Sequence, residues 1–174
     1  MTGNFQPLAD ESWPERLAPF KDSFATRLNV YRVMAHHPEL LAAWAPLRAH
    51  LVTAPALTPE QSEVVILRTG HRLGAAYEWA HHVHRARKLG MPDGRIHGIA
   101  GDPAAMDPAD AVLARAVDEL FDDRRLSAQS QQDLVDLVGT HGMFDVIATV
   151  GFYSVLGYIV QSFDTPIDSD VVSG

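Results

Sequence analysis

The chain has 174 residues, with 14 Lys and Arg against 22 Asp and Glu for a net charge of −8, 47% hydrophobic residues and no cysteine. That acidity argues against nucleic acid or an anionic membrane as partner, since either calls for a basic face. Disulfides and thiol chemistry are excluded for the chain acting alone, and its size suits one domain with a real core.

Met1 to about Pro14 is polar, with scattered Pro and Gly, and carries no secretory n-region or h-region. It reads as an N-terminal arm, free or laid across a neighbouring subunit, on a cytoplasmic protein. The arm is bounded at residues 1–20, leaving 21–174 as a single helical domain. From about Leu17 to Ala35, Phe20, Phe24, Leu28, Tyr31 and Met34 recur at helical spacing and predict a first packed helix. His37-Pro38 restarts the chain, and Leu40, Leu41, Trp44, Leu47 and Leu51 continue as a second helix. His36 and His37 at the junction read as caps or surface groups.

The linker TAPALTPEQSE ends in Thr58 as N-cap, with Gln61 as its capping-box partner. Val64 to Leu67 leave almost no polar face, so Pro59 to about Leu73 is expected to be a mostly buried helix. Gly74 interrupts it. A second helix follows from about Ala75 to Leu89, closed by Gly90 and Pro92. Asp93 can cap a short helix through Ile96 to Ala100, and GDPAAMDP is a turn-rich connection to a helix opened by Asp107-Pro108. Alternating charges from Asp118 to Arg125 mark that helix's solvated end. Ser127 caps a helix to about Val138, stopped by Gly139. The last helix, about Met143 to Phe163, approaches a bilayer span in length. Its Asp145, Thr149, Ser154, Gln161, Gly151 and Gly157 fit a buried core or subunit-interface helix better. No run of period two is long enough for a strand, so the expected fold class is all-α.

Titratable and aromatic groups are densest from Glu63 to Met91. Glu63 sits in an apolar run, where it must be desolvated or paired, and both perturb a carboxylate. In the following helix, projection at about 100° per residue puts Ala75, Trp79, Val83, Ala86 and Leu89 on one arc, with His82 inside it and Glu78 at its edge. Tyr77, His81, His84 and Lys88 project to the other side. Glu78 and His82 are i,i+4 partners, so a carboxylate can orient an imidazole there. A hydrogen-bonded core pair is the alternative. A metal site is disfavoured, because there is no HExxH and no further ligand at a familiar spacing.

Glu63, LRTG at 67–70 and Tyr77-Glu78-Trp79 followed by His82 resemble the carboxymuconolactone decarboxylase-like family, which shares the alkylhydroperoxidase D-like fold. The resemblance continues through AVDELFDDRRLSAQ and FDVIATVGFYSVLGYIVQSF. It implies a helical bundle of about seven helices that assembles as a homo-oligomer of dimers or trimers, with the site near a subunit boundary. The peroxidase branch carries a CxxC where this chain has Ala75 and Glu78. What remains is chemistry without a cofactor or metal: a decarboxylase, isomerase or related lyase acting on a small lactone or keto acid.

His82 is then the general acid/base, Glu78 its orienting group and Glu63 a second proton relay. Arg68, Arg72 and His71 are candidates to hold a carboxylate or oxyanion, or else to pair with acids, and Tyr77 and Trp79 to line the pocket. Two other readings stay open: a small-molecule-binding or accessory protein without activity, and a metal-assisted lyase using Glu78, His82 and a further histidine.

Overall fold

The computed structural model describes residues 5–172, and among these it is all helix and turn, with no strand. In chain order the helices are α1 (Phe24–Arg27), α2 (Asn29–Met34), α3 (Pro38–Thr53), α4 (Pro59–Leu73), α5 (Ala76–Lys88), α6 (Asp93–Gly98), α7 (Pro108–Asp122), α8 (Ala128–Ser162) and α9 (Ser169–Val172). Local chemistry sets most boundaries. The Thr58 side chain accepts from the Gln61 N–H while Gln61 accepts from the Thr58 N–H, a complete capping box at the start of α4. Gly74 closes the helix at φ 63°, in the left-handed region that costs a glycine nothing. Ser127 caps α8 by accepting from Ser130 N–H. Gly139 stands inside α8 at φ 73° and ψ 173°, so the predicted break is real and two helical stretches meet there at a kink.

The N-terminal region differs from expectation. The single helix predicted over Leu17–Ala35 is broken into a 3-10 turn at Glu15–Phe20 and the short α1 and α2. Pro19 stands inside that turn, Asp22 has φ 68° and Leu28 is extended, and none of these can continue a helix. The described part of the arm packs on its own chain. Leu17 is fully buried, the Trp13 indole donates to Leu17 O, and Arg32 reaches Leu8 O and Asp10. Met1 to Asn4 lie outside the described residues.

Eight consecutive residues of α4, Glu63 to Gly70, are buried. One apolar cluster, including Val64, Val65, Leu67, Leu113, Val117 and Val146, packs α4 against α7 and α8. A second, including Leu17, Tyr31, Leu41, Ile66, Tyr77, Phe152 and Leu156, packs the N-terminal helices against α4, α5 and α8. Helices α4, α5 and α8 therefore face apolar partners on two sides. Two of the glycines on these helices set close approaches inside the chain. A Cβ at Gly70 would sit 3.4 Å from Glu78 Cβ, and one at Gly157 only 2.8 Å from Leu73 Cδ1. Gly70 thus sets the approach of α5 to α4, and Gly157 that of α8 to the α4–α5 turn.

Helix α8 is long and apolar enough to cross a membrane, with half of its most apolar window buried in the fold. Its outer face presents Phe144, Ile147, Gly151, Val155 and Tyr158 at helical spacing.

Candidate active site

The central pair is a histidine and a glutamate from different helices. His82 Nδ1 lies 2.6 Å from Glu63 Oε2, and both side chains are at most 5% exposed. Burial lowers the His82 pKa, and the Glu63 carboxylate works against that by favouring the imidazolium. With Nδ1 held by Glu63, Nε2 is the free nitrogen. It lies 3.7 Å from Glu78 Oε2, beyond hydrogen-bond reach. The edge of Tyr153 packs against the His82 ring, with ring centroids 5.0 Å apart at 90°. The other oxygen of Glu63 receives the Arg85 guanidinium at 3.2 Å.

Glu78 is 3% exposed, and its Oε1 has no hydrogen-bond partner among the described residues. Burial without a partner disfavours the carboxylate and pushes its pKa up to about 8. At neutral pH this is a carboxylic acid with a proton to give, one helical turn from an imidazole.

Glu78, His81 and His82 share a cavity of about 180 Å³ with Tyr31, Arg48, Tyr77, Arg85 and Tyr153. The C-terminal segment closes it, Asp170 and Val171 forming part of the wall. That segment is pinned by Asp168. Tyr77 Oη donates to Asp168 Oδ2 at 2.5 Å, and Asn29 N–H donates to Oδ1 at 3.0 Å. His81 Nε2 lies 3.1 Å from Oδ2, off the axis of a good hydrogen bond. Burial alone would raise the Asp168 pKa, but the contacts from His81, Tyr77 and Asn29 outweigh it and keep the carboxyl below its ordinary value.

Of the residues singled out in the sequence, His82, Glu78, Glu63 and Tyr77 come together here. The structure places His71, Arg68, Arg72 and Trp79 elsewhere. Arg68 is buried in a bidentate pair with Asp118, at 2.9 and 2.6 Å, and also donates to Ile99 O and Gly101 O. Arg72 pairs with Asp118 and Asp122. His71 is exposed and its ring neighbours Trp79, which packs on the α4–α7–α8 core. Both arginines thus take the ion-pair alternative.

His81 is a correction of a different kind. Helical projection sends it away from the buried arc, yet it is 7% exposed, stacked on Tyr77 with centroids 4.3 Å apart. The reason is that α2 and the C-terminal segment cover a second face of α5. Asp168, Arg85 and Tyr153 went unnoticed in the sequence. Arg85 alone carried a local signal, since it is three residues beyond His82 and shares its side of the helix.

The carboxymuconolactone decarboxylase family model matches residues 38–119, which span α3 to α7 and include Glu63, Glu78 and His82. Over this stretch, a little under half of its length, the chain is similar to the carboxymuconolactone decarboxylase family. No curated protein matches it. Among solved structures, it is similar to a variant of the debrominase Bmp8 in complex with 2,3,4-tribromopyrrole. The identity is 14%, the TM-score 0.77, and the match covers 97% of this chain and 94% of that one. It is also similar to an uncharacterized peroxidase-related protein from Ralstonia eutropha JMP134 with an alkylhydroperoxidase AhpD core, at 14% identity and TM-score 0.76 over 96% and 94%. A peroxidase-related protein from Silicibacter sp. TM1040 matches at 13% and 0.75 over 98% and 91%. At these identities the likeness establishes the alkylhydroperoxidase D-like fold. The chain has no cysteine, so it lacks the CxxC that the resemblance would place at Ala75 and Glu78.

Proposed function

We propose that this protein is an acid/base enzyme that needs no cofactor, a decarboxylase, isomerase or related lyase acting on a small lactone or keto acid. The observation that carries the reading is the buried, unpartnered Glu78 carboxyl, protonated up to about pH 8, beside a His82 whose Nδ1 is engaged by Glu63. Such a pair can work on carbon next to a carbonyl. His82 Nε2 takes a proton from the carbon, the electron pair moves toward the carbonyl oxygen, and the Glu78 O–H donates to that oxygen. Return of the proton to another carbon is isomerisation. In decarboxylation the carbon–carbon pair makes the same move as CO₂ leaves, and the replacing proton enters through Glu63 and His82. Peroxide reduction through a thiolate has no nucleophile in this chain.

The test is the pH dependence of kcat/KM on a candidate keto acid or lactone. His82 must be neutral to act as base, so activity falls as pH drops below its lowered pKa. Glu78 must be protonated to act as acid, so activity falls again as pH rises through about 8. The expected curve is a bell whose alkaline limb disappears in Glu78→Gln. An alkaline limb unchanged by that substitution would remove Glu78 from the acid role.

The same residue predicts a stability effect. Folded Glu78 keeps its proton between its ordinary pKa of 4.5 and about 8, whereas the unfolded chain releases it. Stability from this group therefore declines as pH rises across that window. Glu78→Gln should unfold later than the parent at pH 8.5, by on the order of 3–5 kcal/mol, and at a similar point at pH 4.5. Denaturant titrations at the two pH values measure the difference.

Self-association belongs to the same proposal, and the α8 stripe supports it. Phe144 and Tyr158 are 61% and 58% exposed, with Ile147 and Val155 between them. A continuous apolar row of that kind fits burial against a second copy. Light scattering is expected to give a mass above one chain, reduced to one chain by Phe144→Asp with Tyr158→Asp. A single-chain mass for an active sample would overturn this.

A further inference from the structure

A second hollow adjoins the reactive cavity. It measures about 420 Å³ and is walled by Leu51, Pro55, Leu57, Ile66 and Leu89, with Glu63 at its floor. The two spaces share Val52, Arg85, Lys88 and Tyr153. Glu63 faces the larger one and its partner His82 the smaller, so the reactive pair stands in the partition between them. Much of that partition is the Arg85 side chain, which is 45% exposed and held to Glu63 by one contact of 3.2 Å. An ion pair open to water on one side is weakly held, and a swing of Arg85 outward costs little.

Each space also keeps an unsatisfied polar atom: Glu78 Oε1 in the smaller and Ser62 Oγ in the larger, both buried and without a partner among the described residues. The shared wall is cationic, with Arg85 and Lys88, and the smaller cavity adds Arg48. Against them stand Glu63, which offsets Arg85, and Asp170, while Glu78 is neutral below about pH 8, so the cations exceed the anions by one charge. On a chain of net charge −8 this is a local reversal of sign.

We infer that the two spaces are compartments of one substrate site joined at Arg85, and that the substrate is an amphipathic acid whose oxygenated head reacts at His82 and Glu78 while its apolar body lies along Leu51, Leu57, Ile66 and Leu89. This rests on the proposed acid/base reading for the head and adds the body. The combined space is in the range of ordinary small-molecule sites, whereas the smaller cavity alone holds only a head group. A lining of this kind selects by chain length, since each methylene moved from water to an apolar wall is worth about a fourfold gain in affinity at full burial.

The experiment uses straight-chain carboxylic acids as probes, from butyrate through hexanoate and octanoate to decanoate, titrated calorimetrically into the full-length protein. Affinity should climb by about two- to fourfold per methylene until the larger hollow is filled. Leu89→Gln, on an exposed wall residue, should flatten that climb while leaving butyrate unaffected. Ala54→Trp, which fills the hollow from its rim, should cap it at a shorter chain. Affinity independent of length overturns the inference. A climb that neither substitution alters also overturns it, by placing the chain elsewhere, for example in the apolar groove between Phe5, Leu40 and Phe163. Binding is read without turnover. A protein that shows the length dependence but converts no medium-chain keto acid or lactone would keep the joined site for an amphipathic acid and lose the reaction at its head.

Discussion

His82→Gln lowers turnover by a factor on the order of 10² to 10⁴, the range set by removal of a positioned general base. The side chain keeps an amide to meet Glu63 but loses the nitrogen that titrates. The fold should survive, because the Glu63 carboxylate retains Arg85 at 3.2 Å and both core clusters close without the imidazole. The neighbouring histidines separate chemistry from architecture. His84, half-buried at the edge of the cavity, should tolerate Ala with little change in either measure. His81→Ala removes a stacked, buried ring beside Asp168 and should cost stability and loosen the cavity wall, where projection from the sequence alone predicts a neutral change. Rates and melting curves for the three variants check this. If His82→Gln keeps more than about a tenth of the parental rate, His82 is not the base.

Arg68→Ala is expected to cost about 3–5 kcal/mol of folding free energy, the largest loss from any single exchange discussed here. The guanidinium is 8% exposed on the side chain, paired bidentately with Asp118, and satisfies the carbonyls of Ile99 and Gly101 at 2.8 and 2.7 Å. Removing it strands Asp118 with Arg72 alone and leaves both carbonyls short of a donor. Lys should rescue poorly, since one ammonium cannot reproduce a planar fork that serves three acceptors. Urea unfolding measures the loss, and kcat/KM per folded molecule should be unchanged. A fall in kcat/KM with normal stability would return Arg68 to the substrate site.

What could be read in the sequence was what neighbouring residues decide. Thr58 with Gln61, Gly74, Gly90 and Ser127 punctuate the helices through contacts a few residues long, and Glu78 with His82 is a one-turn relation. Glu63 was recognisable as a carboxylate buried in an apolar run, but its partner was not, because the pairing depends on how closely α5 approaches α4 at Gly70. The misplacement of His81 has a definite cause. Projection onto one apolar arc assumes one buried face, and α5 has two. The arginine pairs did carry a signal. Arg68 and Arg72 are four apart on α4, as are Asp118 and Asp122 on α7, a ladder of matching pitch that favours ion pairs over a ligand site. Asp168 carried none, because its importance lies entirely in long-range contacts.

Those contacts bear on how the protein is made. The carboxylate of Asp168 meets the backbone N–H of Asn29, 139 residues earlier, and the hydroxyl of Tyr77, 91 residues earlier. During synthesis, the helices that carry Glu63, Glu78 and His82 leave the ribosome long before residue 168 does. Until it follows, the cavity lacks the wall of Asp170 and Val171 and admits water beside Glu78, which keeps that carboxyl nearer its ordinary acidity. The wall that tunes the site is the last part of it to be translated, so the cavity is complete only once the segment from Thr165 to Val171 has been released and docked.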